Sequence, residues 1–132
     1  MYHIGLDMIE IARIEGAVGR WGERFLRRIY TGEELRICRN RAPALAVRFA
    51  AKEAVMKALG TGTKGVAWRD IEVLSNSDGK PLVYLYGRAQ KKAEELGLGE
   101  LAITLSHSRQ YAIASVVGGR IEDRDHSGDE RA

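Results

Sequence analysis

The 132-residue sequence predicts an α+β domain in which an antiparallel sheet packs against one long central helix, with short helices near the N-terminus. Three observations carry that expectation. Apolar residues keep helical spacing from Pro43 to Leu59 between a first-turn proline and Gly60. The half from Ile71 to Val117 reads as short strands punctuated by turn residues, and the stretch from Ile11 to Ile37 reads as short helices interrupted by glycines.

Taken in order, Ile4, Leu6 and Met8 alternate with Gly5 and Asp7, so a short first strand carries Asp7 on its polar face. Helical spacing follows through Ile11, Ile14 and Val18, and Gly19 and Gly22 break it around Trp21. Phe25, Leu26 and Ile29 start another helical turn or two. Thr31 with Glu34 three residues on forms a capping box for a third short helix through Leu35 and Ile37. Past the long helix, Gly60 to Gly65 reads as a mobile loop. Ile71 to Leu74 and Pro81 to Tyr86 make a hairpin about the turn Asn76-Ser77-Asp78-Gly79, Arg88 to Leu96 a surface helix stopped by Gly97, and Leu101 to Ser106 and Tyr111 to Val117 two last strands. The expected domain is residues 1–118, and 119–132 reads as a charged, disordered tail without apolar periodicity.

Composition narrows the class. Charged residues make up 30% and hydrophobic ones 45%, the balance of a soluble globular chain. No apolar run approaches the roughly 20 residues that span a bilayer, and Met1 to Gly5 lacks the pattern of a secretion signal, so a cytoplasmic location without membrane attachment is expected. The lone Cys38 has no partner for a disulfide or a thiolate metal site and reads as packing. Net charge is only +3, but Arg13, Arg20, Arg24, Arg27, Arg28, Arg36, Arg39 and Arg41 concentrate it in the first third, diluted by Glu15, Glu23, Glu33 and Glu34. From charge alone that stretch is either a solvated helix face or a docking surface for an acidic partner. Nucleic acid is not expected: Tyr84 and Tyr86 share a strand face without the flanking basic and aromatic pattern of a stacking platform.

The chemistry concentrates on the long helix. At 100° per residue Leu45, Phe49, Met56 and Leu59 share an apolar arc, Lys52 projects from within it and Glu53 stands at its edge. Burying charge is costly unless it is paired or coordinates something, so the placement asks for a metal, an anionic ligand or a partner subunit. If Asp7 and Glu53 meet in space, their repulsion calls for a cation, and two carboxylates completed by phosphates and waters suit Mg²⁺. The bland alternatives are a turn or cap role for Asp7, an i,i+4 ion pair with Lys57 for Glu53, and a snorkelling stem for Lys52. Arg48, Lys52 and Lys57 beside the glycine loop would suit a ligand with several phosphates. Gly60-Thr61-Gly62 follows a helix C-terminus, which excludes a nucleotide-hydrolysing P-loop. Ser106-His107-Ser108 ends a strand, where adjacent side chains point apart, which argues against a serine hydrolase and leaves His107 as a structural residue or a ligand contact.

In order, Ile4-Gly5-Leu6-Asp7 with Ile11 and Arg13, Arg48-Phe49-Ala50-Ala51-Lys52-Glu53-Ala54, Gly60-Thr61-Gly62, Asp70-Ile71-Glu72-Val73, Gly79-Lys80-Pro81 and Leu105-Ser106-His107-Ser108 resemble the holo-acyl-carrier-protein synthase family of 4'-phosphopantetheinyl transferases. The resemblance runs from about Ile4 to Val117. It implies that family's fold and the transfer of phosphopantetheine from coenzyme A to a serine of apo acyl carrier protein, a step of fatty-acid and wider lipid biosynthesis, with release of adenosine 3',5'-bisphosphate. Asp7 and Glu53 match the two protein ligands of Mg²⁺, and Asp7 or a metal-held water would accept the serine proton. Lys57 matches a catalytic position that also meets the coenzyme, and Arg48, Lys52, Gly60 and His107 match the rest of the coenzyme A site. Arg13, with Arg20 and Arg24, resembles the surface that docks the acidic carrier, and the family's homotrimers place sites at subunit interfaces. The connection from Glu33 to Arg48 is shorter than the family pattern, and the charged tail is longer. A non-catalytic phosphate- or nucleotide-binding module is the alternative, and it would tolerate losing Asp7.

Overall fold

The structure, a computed structural model, describes residues 1–120. Strand β1 (Tyr2–Glu10) leads into three helices, α1 (Ile11–Trp21), α2 (Glu23–Ile29) and α3 (Gly32–Cys38), and then into the long α4 (Ala42–Leu59). A single helical turn, α5 (Gly62–Gly65), and a 3-10 turn at Trp68–Asp70 precede the hairpin β2 (Ile71–Ser75) and β3 (Pro81–Leu85). Helix α6 (Gly87–Glu95) and the strands β4 (Leu98–His107) and β5 (Tyr111–Arg120) complete the chain. The α+β architecture is therefore as expected, with two departures at the level of elements. The glycine stretch after α4 is not an open loop but closes one helical turn over Gly62–Gly65. Strand β5 continues through Gly119 and Arg120, residues expected to lie in the tail, whereas the rest of that segment, 121–132, is outside the described residues.

Local chemistry explains the breaks. Gly22 at φ 54 ends α1 and starts α2, a backbone state that a side chain would resist. The capping box is formed: the Thr31 hydroxyl accepts from the Glu34 amide at 3.2 Å, and Glu34 Oε1 accepts from the Thr31 amide at 2.9 Å. Pro43 lies in the first turn of α4 and Gly60, at φ 74, closes it in the left-handed conformation.

The main sheet has the order β1-β5-β4, all antiparallel, and β2-β3 form a separate hairpin. Helix α4 crosses the inner face of β1 and β5 and also packs on β2 and the short helices. Its core side chains, among them Leu45, Val55, Met56 and Leu59, are buried. Contact with β1 is close because Gly5 has no side chain: a Cβ there would stand 1.7 Å from the Ala54 carbonyl oxygen. The small residues Ala112, Ala114 and Val116 of β5 line the same inner face.

This packing inverts the simple reading of β1. Gly5, Asp7 and Ile9 face the helix, and the apolar set Ile4, Leu6 and Met8 faces outward at 67%, 55% and 59% exposure. Ile113 and Val117 of β5 extend that open apolar face.

Candidate active site

Asp7 reaches the site because the strand period puts it on the same face as Gly5, two residues away, where β1 and α4 are in close contact. On α4 nearly every side chain is buried, but Phe49, Glu53 and Lys57, spaced by four residues, form a stripe that is not fully covered. Asp7 and Glu53 line one cavity of about 350 Å³ together with Arg13, Phe25 and Phe49. The two carboxylates that the sequence singled out are thus brought together.

Electrostatics mark the meeting. The Glu53 carboxyl is pushed above its ordinary range, first by burial and then by repulsion from Asp7, with Lys57 and Arg13 opposing the rise. Lys57 Nζ donates to Asp7 Oδ1 at 2.9 Å and to the Leu6 carbonyl at 2.9 Å, pinning the strand carboxylate from the side. Lys57 therefore turns to Asp7 on β1. The Lys57 side chain is half-exposed, and its ammonium keeps a third N–H for a ligand.

Two expected ligand residues are elsewhere. Lys52 is fully buried, and its ammonium donates to Glu34 Oε1 at 2.8 Å, to the Trp68 carbonyl at 3.1 Å and to the Ile71 carbonyl. An ammonium has three N–H donors, and all three are taken by protein. Lys52 does not project toward a phosphate site or snorkel to water; it is half of an internal ion pair. Arg48 is also turned inward, donating to the carbonyls of Val73 at 3.0 Å and Ala44 at 3.3 Å. The physical reason is the same for both: α4 is covered on the side of α3 and β2 as well as on the sheet side, so its cations satisfy carbonyls within the core.

His107 is exposed at the end of β4 and borders a different hollow, of about 480 Å³, with Arg41, Pro43, Ala44 and Val47. Within one chain it does not share the Asp7–Glu53 cavity. Gly60 is exposed at the end of α4, beyond Lys57. Of the expected docking residues, Arg13 lines the carboxylate cavity and Arg20 lies exposed in the last turn of α1. Arg24 borders an adjoining hollow of about 360 Å³ with Trp21, Phe25 and Arg28, and Phe25 is common to both hollows.

Sequence reasoning missed the aromatic wall and the partner of Lys52. Phe25 and Phe49, 6.4 Å apart and from two elements distant in the chain, line the cavity, and Trp68 stacks on Phe49 at 4.8 Å. The sequence shows Glu34 as a cap residue and as one of the acids that dilute the basic stretch, not as the partner of a buried lysine. Glu34 Oε2 also accepts from the Val73 amide at 2.8 Å, so the carboxylate joins α3, α4 and β2.

Among the described residues no cluster of three or more His, Cys, Asp or Glu could hold a metal by itself. The chain supplies two hard carboxylates that repel each other, and their oxygen chemistry fits a hard divalent cation such as Mg²⁺.

The family model for the 4'-phosphopantetheinyl transferase superfamily matches residues 3–116. A holo-[acyl-carrier-protein] synthase of Herpetosiphon aurantiacus is 54% identical over 121 residues, covering 86% of this chain and 95% of its own. One from Dehalococcoides mccartyi is 53% identical over 117 residues, covering 89% and 98%. Among solved structures, the Helicobacter pylori holo-[acyl-carrier-protein] synthase in complex with coenzyme A superposes with a TM-score of 0.80 at 34% identity, covering 88% of this chain and 99% of that one. Extensive matching over both partners' lengths, on the fold and motifs described above, places the chain in the holo-[acyl-carrier-protein] synthase family of the 4'-phosphopantetheinyl transferase superfamily.

Proposed function

We propose that this protein transfers the 4'-phosphopantetheine group of coenzyme A to a serine hydroxyl of apo acyl carrier protein, releasing adenosine 3',5'-bisphosphate, in a Mg²⁺-dependent reaction. The observation that carries the proposal is the convergence of Asp7 and Glu53 on one cavity with Lys57 beside them. Bound Mg²⁺ would offset negative charge on the pyrophosphate of coenzyme A as the bond to the leaving phosphate breaks. Asp7 and Glu53 would hold that ion. Lys57, already on Asp7, would orient this carboxylate and place positive charge where the leaving phosphate develops negative charge. The serine oxygen forms the new bond to phosphorus on the pantetheine side, the bridging P–O bond breaks toward adenosine 3',5'-bisphosphate, and the serine proton passes to a carboxylate such as Asp7.

Arg13 at the cavity rim, with Arg20 and Arg24, would guide the acidic carrier so that its serine enters beside the carboxylates. The remaining coenzyme contacts call for a second chain, because His107 borders a separate hollow in the isolated chain. The outward apolar face of β1 and β5 supports assembly, and we take that assembly to be a homotrimer with sites at its interfaces. No helix among the described residues is long and apolar enough to cross a membrane. A cytoplasmic enzyme that supplies holo carrier for fatty-acid biosynthesis is the corresponding cellular reading.

The test is mass spectrometry of apo acyl carrier protein incubated with this protein, coenzyme A and Mg²⁺. The expected result is a gain of one phosphopantetheine, abolished by EDTA and by Glu53→Gln. No gain with several carriers would overturn the proposal.

A further inference from the structure

Helix α4 is alanine-rich where it meets its neighbours: Ala46, Ala50, Ala51, Ala54 and Ala58 are all buried. A smooth helix of this kind buries similar apolar area over a range of rotations and axial shifts, so apolar packing alone specifies its azimuth weakly. Directional polar contacts specify such a register more sharply. Only one charged pair among the described residues lies wholly within this core, Lys52 with Glu34.

The pair is unusual in its connections. Lys52 Nζ joins α3 through Glu34, the 3-10 turn through the Trp68 carbonyl and β2 through the Ile71 carbonyl. Glu34 accepts from the Thr31 amide, the Val73 amide and Lys52, and Glu72 on β2 accepts from the Thr31 hydroxyl at 2.6 Å. The Tyr30 ring lies 5.9 Å from the same ammonium. Three elements outside the main sheet therefore hold one point on α4, and the next residue of that helix is Glu53.

We propose that Glu34 and Lys52 are positioning residues for the reaction. By fixing the rotation of α4, they aim Glu53 and Lys57 at Asp7 across the close contact of Ala54 with Gly5, and neither touches substrate. This rests on the proposed function for its catalytic consequence but not for its structural one. A helix rotation of about 20° carries a side chain roughly 5 Å from the axis through more than 1 Å, and a displacement of that size can cost about a hundredfold in rate.

The experiment compares wild type with Lys52→Met and with the double variant Lys52→Met/Glu34→Gln. The double variant removes both charges and keeps one carbonyl oxygen that can accept from either the Thr31 or the Val73 amide. At a temperature where circular dichroism shows the double variant folded, we expect its Mn²⁺ affinity, read by electron paramagnetic resonance with adenosine 3',5'-bisphosphate present, to fall about tenfold or more. The kcat should fall by a similar factor, with KM for coenzyme A at saturating metal changed less than about twofold. In the metal-free protein, nuclear Overhauser contacts between Ala54 and Gly5 should weaken. A folded variant with wild-type Mn²⁺ affinity, kcat and contacts would show a merely structural pair and overturn the inference. A selective rise in KM for coenzyme A would overturn it in favour of a direct phosphate contact. If wild type neither transfers nor binds Mn²⁺, the proposed function falls, and the Ala54–Gly5 contacts still decide whether the pair sets the helix.

Discussion

Glu53 carries a charge that its surroundings resist, and this gives the site a signature in stability as well as in activity. Its folded-state pKa is raised by burial and by Asp7, so the fold favours the protonated carboxyl. The stability due to that group is present in full below its unfolded pKa and is lost as pH rises through the raised folded value. In metal-free protein, Glu53→Gln should therefore raise the melting temperature by about 1–3 °C near pH 7.5, with the gain closing toward about pH 4.5. Differential scanning fluorimetry across pH reads this directly. A variant that melts below wild type at neutral pH would mean that the charge is better compensated than the geometry indicates. Arg13 faces the same cavity from α1, and Arg13→Glu should raise the KM for carrier protein at low salt by about tenfold, with a smaller effect as ionic strength increases. An unchanged KM at low salt would rule out the docking role.

At the scale of elements, the meeting of β1 with α4 decides whether Asp7 and Glu53 share a cavity. Gly5→Ala would drive a Cβ into the Ala54 carbonyl, which has no flexible end to swing aside. The expected cost is at least about 3 kcal/mol in chemical denaturation, with loss of transfer even where the chain still folds. On the opposite side of α4, Lys52→Met leaves the Glu34 carboxylate buried without its cation, and about 3–5 kcal/mol of stability should be lost; the double variant with Glu34→Gln should recover part of it. The capping box was legible in Thr31 and Glu34 because it depends on residues three apart in one helix. The second task of Glu34 was not, because its partners Lys52 and Val73 come from elements that the chain brings together only on folding.

At the scale of the whole molecule, an open apolar sheet face and the separation of His107 from the Asp7–Glu53 cavity, both proposed to serve one site, point the same way. Ile4, Leu6 and Met8 on β1 with Ile113 and Val117 on β5 expose apolar surface that a lone chain would have to keep in water. Sedimentation equilibrium should give three times the chain mass of 14.6 kDa. Leu6→Lys, which places charge on that face away from the cavity, should shift the protein toward monomer and lower specific activity by about tenfold or more. A fully active monomer would refute the interface site.

By itself the sequence determined the order of the strands and longer helices, the strand carboxylate and helix carboxylate, and the motif series that marks the family. These are local or sequential properties, written in spacing of two, three or four residues. Only the tertiary structure decided what each face meets. Periodicity shows that Gly5, Asp7 and Ile9 share one side of β1, but the inner side is chosen by whether Gly5 can admit the backbone of Ala54. Lys52 and Glu53 are adjacent and equally charged in magnitude, yet 100° of helix separates their fates. Glu53 opens onto the cavity of Asp7, and Lys52 is enclosed by Glu34 and two carbonyls because α3 and β2 close over that side of α4.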